Sequence, residues 1–298
     1  MLNKRGLKTT EISRKPQWIR LRVPSGTNYT NVKKTIKSLE LHTVCEEARC
    51  PNISECWGIG TATIMIMGSI CSRGCRFCSV FSGSPKILDP KEPERVAIAI
   101  KKWGLNYVVI TSVCRDDLED GGADHMAKTI RAIHASCPQT TVEALIPDFK
   151  GDGTAISKIV RAGPKVISHN IETVPRLSPK VRDSRATYNQ SLVVLQKIKD
   201  FDSKVYTKSS LMLGLGEYEN EVIETMRDLR SINVNFLTMG QYLQPSSRHL
   251  PVIQYVPPDK FDWFARVAKQ MGFSNVASGP LVRSSYKAGE YFLRNAVS

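Results

Sequence analysis

From residue 62 onward, short apolar runs alternate with longer stretches in which apolar residues recur every three or four positions. The runs at 62–68, 107–111, 141–146, 166–171, 204–213 and 234–242 read as buried strands. The stretches at 94–103, 122–136, 154–162, 188–200, 220–231 and 258–271 each carry one apolar face and read as helices. Strands alternating with helices pair in parallel through right-handed crossovers. Six such units fall short of the eight that close a barrel. The predicted fold class is therefore α/β, a partial (β/α)6 TIM-like barrel with N- and C-terminal extensions that could close it. Three parts are expected: 1–60, 61–273 and 274–298. In the first, Pro16, Pro24 and Gly26 interrupt any period and leave one short helix at 32–39. The last holds a helix-like pattern at 287–297.

In barrels of this class the chemistry sits on loops that follow the strands. The loop after the first predicted strand reads Cys71-Ser72-Arg73-Gly74-Cys75-Arg76-Phe77-Cys78. A closed zinc site takes four protein ligands, and here the local supply stops at three. A cubane [4Fe–4S] cluster on three thiolates keeps one iron open to an external ligand, which is the arrangement of a cluster that performs chemistry. A zinc knuckle borrowing a distant ligand is the alternative. A second triplet, Cys45-x4-Cys50-x5-Cys56, is also one ligand short. His42 would complete it as a Cys3His zinc site; a ligand from elsewhere would complete a second iron–sulfur cluster. In Arg283-Ser284-Ser285-Tyr286 the serines either cap the terminal helix or supply that ligand. Cys114 and Cys137 are expected to be ordinary buried thiols. Polar residues also end other strands, among them Ser112, the run His169-Asn170-Ile171-Glu172, and Gln241; Lys208 lies within the fifth strand.

Composition narrows the setting more than the function. With 41% apolar and 23% charged residues over 298 positions, the chain suits a globular protein with a sizeable core. Its longest apolar runs are too short to span a bilayer, and the basic start lacks the apolar centre of a secretory signal. A cytoplasmic location is expected, in which eight cysteines serve as metal or redox ligands. The net charge of +14 is concentrated early, with Lys4, Arg5, Lys8, Arg14, Lys15, Arg20, Arg22, Lys33, Lys34 and Lys37 against Glu11 and Glu40. Nucleic acid, an acidic protein, a small carboxylate ligand or a merely solvated face would each fit.

Taken together, the two cysteine triplets, His169-Asn170-Ile171-Glu172-Thr173 and Arg283-Ser284-Ser285-Tyr286 resemble the lipoyl synthases, a family of the radical S-adenosylmethionine (SAM) superfamily. The similarity runs from about residue 18 to about residue 293. The Cys71 motif marks only the superfamily; its combination with the other three stretches marks the family. The resemblance implies a radical SAM barrel and two [4Fe–4S] clusters. One, on Cys71, Cys75 and Cys78, would bind SAM and cleave it to a 5′-deoxyadenosyl radical. The other, on Cys45, Cys50, Cys56 and Ser285, would give up sulfur to C6 and C8 of an octanoyl chain. An oxygen ligand is harder than iron in such clusters prefers, which suits a corner that must be released. Phe77 is implied beside the adenine, Asn170 and Glu172 near the ribose and methionine, and Ser112 as a further SAM contact. Arg185 and Lys208 are implied at the SAM carboxylate. Implied partners are an octanoylated lipoyl carrier domain or glycine cleavage H protein and an electron donor such as ferredoxin or flavodoxin, with neither nucleic acid nor membrane. The rivals are a radical SAM methylthiotransferase acting on tRNA, a biotin synthase-like sulfur inserter, and a zinc-dependent nucleic-acid-binding protein completed by His42. The methylthiotransferase lacks an appended RNA-binding domain here and would leave the serine motif without a role.

Overall fold

The computed structural model of the chain describes residues 15–19, 26–58, 62–286 and 288–289. Of the basic N-terminal residues, those at 1–14 and 20–25 lie outside the described residues, as does all of the helix-like 287–297 pattern except 288–289. The strands are β1 (His42–Thr43), β2 (Thr63–Ile66), β3 (Ile70–Cys71), β4 (Phe81–Ser82), β5 (Tyr107–Ser112), β6 (Thr141–Leu145), β7 (Val166–Ser168), β8 (Tyr206–Leu213), β9 (Phe236–Gln241) and β10 (Asn275–Gly279). The helices are α1 (Thr27–Ser38), α2 (Val44–Glu47), α3 (Ile53–Gly58), α4 (Glu92–Trp103), α5 (Ala123–Ser136), α6 (Gly153–Arg161), α7 (Ser178–Val181), α8 (Tyr188–Phe201), α9 (Glu219–Ser231) and α10 (Pro258–Gln270).

Among the described residues the main sheet runs β1-β2-β5-β6-β7-β8-β9-β10. Every neighbouring pair in it is parallel except β1 with β2. The α/β partial barrel expected from the pattern is present, with one strand more. β10 pairs with β9 from Asn275↔Phe236 to Gly279↔Gly240. Its five residues include only two that are buried, Val276 and Ala277, so it carries no apolar run. It begins just past the boundary expected at residue 273, and continues the barrel sheet.

Local chemistry sets the helix ends that aim the loops. The Asp152 carboxylate accepts from Thr154 and Ala155 N–H at the start of α6, and Thr187 Oγ1 accepts from Gln190 N–H at the start of α8. Gly104, at φ 62°, ends α4 in a left-handed cap that side chains resist. One core joins the faces: Ile64, Ile66, Ile110, Ala144 and Ile167 from the strands meet Ile100, Met126, Ile130, Ile156 and Leu195 from the helices. Each such side chain, withdrawn from water, contributes on the order of 1.5–3 kcal/mol.

The parallel sheet stays open between β2 and β10. The chain after β10 turns back across that opening: Gln241 N–H donates to Pro280 O at 3.3 Å, and Thr63 Oγ1 on β2 donates to Ser285 Oγ at 2.9 Å. Asn52 Nδ2 donates to Leu281 O at 2.7 Å. Residues 52 and 280–285 are thereby brought to one side of the barrel.

Candidate active site

β2 ends in Met67 and Gly68, both at positive φ, and the chain then reverses into β3 and the cysteine loop. Main-chain bonds anchor that loop on every side. Ser72 N–H donates to Cys114 O at 3.0 Å, Gly83 N–H to Cys71 O at 2.9 Å, and Arg76 N–H to Val181 O at 2.9 Å. His249 Nε2 meets Cys78 O at 2.9 Å while its Nδ1 faces Ser246 Oγ at 2.8 Å.

Inside the loop, Arg73 is buried between two carboxylates. It binds Asp116 through Nε and Nη2 at 2.8 Å each, and Asp148 at 2.6 and 2.8 Å. These aspartates follow β5 and β6, so one guanidinium ties the cysteine loop to two neighbouring strand ends. Burial works against its charge, but the hydrogen bonds to Asp116 and Asp148 outweigh it and raise its pKa. The same bonds lower Asp116 to about 2.

Cys71, Cys75 and Cys78 line a cavity of about 290 Å³. Its wall includes Phe77, Ser112, Asn170 and Glu172, the residues that the resemblance placed at SAM, together with Arg182 and His169. Two polar atoms in this wall, Ser112 Oγ and Asn170 Oδ1, are buried without a hydrogen-bond partner, an arrangement that costs free energy until a ligand meets them. Backbone N–H groups already point at the sulfurs, Arg73 N–H at Cys71 Sγ (3.4 Å) and Asp183 N–H at Cys75 Sγ (3.3 Å). Such bonds favour thiolates. Cys71 is lowered to about 6, first by a hydrogen bond from Cys114, whereas burial raises Cys75 and lifts Cys78 to about 12. Three thiols, two orphaned polar atoms and a cavity of this size fit an open-cornered cluster with SAM.

Glu172 holds a left-handed φ of 67° and accepts from Asn170 Nδ2 at 3.0 Å. Burial raises its pKa, and the Arg182 charge opposes that rise. Arg182 was missed in the sequence. It lies in a turn after α7 with no strand pattern to flag it, yet its guanidinium is buried and donates to Ser191 Oγ at 2.8 Å. Arg185, expected at the SAM carboxylate, is instead half-exposed and committed to Asp183 and Asp116, with Nη2 donating to Ser72 O at 2.9 Å. Lys208 is not brought to this cavity. It is buried against Glu143 at 2.8 and 3.1 Å and lines a separate small cavity with Tyr107 and Phe236 near the strand starts. It is the third residue of β8, and so points inward near the barrel's other end.

The second triplet stands behind the part of the cavity wall that Val44 and Ala48 form. Thr43 Oγ1 caps α2 by accepting from Glu46 N–H, which seats Cys45 in its first turn, and Cys50 N–H returns to Cys45 O at 3.0 Å. Burial lifts Cys45 to about 11 and also raises Cys50. The half-buried Arg283 lies near enough for its charge to oppose the rise at Cys50, and Thr63 bonds Cys45 through its backbone and Ser285 through its hydroxyl. Tyr286 Oη lies 3.2 Å from Glu55, beside Cys56 on α3. The terminal motif is thus carried to the Cys45 triplet. His42 does not join it and pairs with Glu47 at 3.2 Å. Val44, Ala48 and Met65 from this side, and Ser284 beside Ser285, reach the cavity that the other triplet lines. Cys114, expected in the core, is half-buried and opens onto the cavity; Cys137 is half-buried as well.

The fold and the site together define a radical SAM protein. Residues 65–229 match the model of the radical SAM superfamily, and residues 2–50 match that of the N-terminal domain of lipoyl synthase. A curated lipoyl synthase of Anaeromyxobacter dehalogenans is 54% identical over 286 residues, covering 96% of this chain and 97% of that one. Mitochondrial lipoyl synthase of Rattus norvegicus is 54% identical over 291 residues, covering 96% and 78%. Among solved structures, Streptococcus suis SuiB bound to S-adenosylmethionine aligns with a TM-score of 0.55 at 9% identity over 76% of this chain and 53% of its own. The hydrogenase maturase HydG aligns at 0.54 and 13% over 90% and 65%; these two likenesses establish the barrel. The chain belongs to the lipoyl synthases, radical SAM enzymes that use SAM and a [4Fe–4S] cluster and insert sulfur. Among the described residues no helix is long and apolar enough to cross a membrane.

Proposed function

We propose that this enzyme inserts sulfur at C6 and C8 of an octanoyl chain carried on a lysine of a lipoyl carrier domain or of glycine cleavage H protein. Cys71, Cys75 and Cys78 hold the SAM-binding cluster; Cys45, Cys50, Cys56 and Ser285 hold a second. When bound, the first supplies the electron that cleaves SAM and the second supplies the sulfur. The protein's own part is positional. Ser112 Oγ and Asn170 Oδ1 meet polar groups of SAM, Phe77 packs against its adenine, and Arg182 with Glu172 takes its charged end. Val44, Ala48, Met65, Val80, Val113, Leu145 and Ile146 give the cavity an apolar wall, which suits an alkyl chain and keeps water from a carbon radical.

The observation that supports this reading is the return of the chain after β10 to the Cys45 side, where Thr63 meets Ser285, beside a cavity that Cys71, Cys75 and Cys78 line and that Val44, Ala48 and Ser284 reach. The segments before β2 and after β10 serve as one auxiliary unit on the barrel. The +14 charge favours an acidic carrier and an acidic one-electron donor such as ferredoxin or flavodoxin.

The test is an iron and acid-labile sulfide count on anaerobically reconstituted protein. About eight irons per chain, falling to about four when Cys71, Cys75 and Cys78 become Ala, is the expected result. Cys45→Ala should also fall to about four irons and lose all thiolated product from an octanoyl-lysine peptide, while still cleaving SAM. A parent count of about four irons with zinc present would refute the sulfur-donor role.

A further inference from the structure

Cys114 has no part in the reading above, yet its sulfur sits against the first cluster loop. Ser72 donates to Cys114 O through both its N–H and its hydroxyl, each at 3.0 Å. The main chain at Ser72 is therefore bonded directly to that at Cys114, two residues past the end of β5. A main-chain bond of this kind brings the flanking Cα atoms to about 5–6 Å, inside the span of about 4.4–6.8 Å that a disulfide bridges. The two thiols lie close enough to act on each other's protonation, and both line the cavity. Cys75 and Cys78 feel Cys71 only through its charge, at longer range.

We propose that Cys71 and Cys114 form an oxidation site: in the cluster-free chain, peroxide converts them to a disulfide that blocks cluster loading until a dithiol reopens it. Peroxide oxidises the Cys71 sulfur to a sulfenic acid and leaves as one water. The Cys114 sulfur then attacks that sulfur, the S–O bond breaks as the S–S bond forms, and a second water departs with the thiol proton. Two thiols and one peroxide become one disulfide and two waters. The bond removes one of three ligands and ties the loop to β5. It also stops Cys71 short of sulfinic acid, which thiols do not reverse. The inference rests on Cys71 being a cluster ligand.

Peptide mapping of the full chain tests it directly. Chelated, reduced protein is treated with hydrogen peroxide, alkylated and cut with trypsin, which separates Cys71 from Cys75 and Cys78 at Arg73 and Arg76. A cross-link of Cys71 to Cys114 is expected. Iron uptake at this site should drop from about four per chain to almost none, and dithiothreitol should restore it. Untreated Cys114→Ser should load as the parent does and keep loading after peroxide. Cys71 found bridged to Cys75 or Cys78, or Cys114→Ser losing its loading as fully as the parent, would overturn the proposal. If neither untreated protein loads iron through Cys71, the ligand assignment fails, and the peptide map still decides whether the disulfide forms.

Discussion

His169 makes stability fall on mild acidification by an amount that can be worked from its surroundings. The imidazole is fully buried in the cavity wall, with Nδ1 3.0 Å from Ile146 O and Nε2 2.9 Å from Ser191 Oγ. Burial, followed by the positive charge of Arg182, pushes its pKa down from 6.5 to about 4. Between those values the unfolded chain binds a proton that the folded chain refuses. Stability therefore decreases as pH falls through 6.5 and levels off below about 4. The full difference is about 3 kcal/mol, of which about 2 is lost between pH 7.5 and pH 5. His169→Asn keeps an N–H near the position of Nδ1 but has no proton to gain. It should be less stable at neutral pH, through the lost Ser191 contact, and show about 2 kcal/mol less acid sensitivity. Urea unfolding by tryptophan fluorescence at about pH 7.5 and pH 5 measures both slopes and midpoints. Equal losses in the two proteins would refute the reasoning, because every other titrating group is shared.

Arg73→Met should cost about 3–5 kcal/mol, since it leaves the buried Asp148 without its cation and the half-buried Asp116 with Arg185 alone. Asp148→Asn added to it should recover part of that loss in the same unfolding assay. Gly240→Ala would drive a Cβ to 2.0 Å from Val282 O, so the chain beside Arg283 must shift. About half of the iron should be lost, from the Cys45 side, while SAM cleavage persists; loss of both activities together would show that the shift spreads through the barrel.

Much of the barrel was legible because its signals are local. A buried parallel strand needs an apolar run and a helix needs a repeating apolar face, and six units showed both. β10 escaped notice because Asn275, Ser278 and Gly279 break its apolar run; its place comes from pairing with β9. The same division runs through the site. Cys71, Cys75 and Cys78 fall within eight residues, so chain geometry alone brings them together. Lys208 looked available because a strand position does not say which end of the barrel it faces, and Glu143 lies 65 residues away. Arg185 and Arg182 share one turn, and sequence could not tell which guanidinium the cavity would bury.

By itself, then, the chain determined six of its strands, the helices between them and two cysteine triplets, all of which depend on residues near one another. Only the tertiary structure decided that Ser285 meets Thr63 across 222 residues, and that Cys114 lines one cavity with Cys71, Cys75 and Cys78. Those contacts depend on the curvature of a sheet that among the described residues stays open between β2 and β10, and on the segment after β10 that crosses the gap, and no local pattern encodes them.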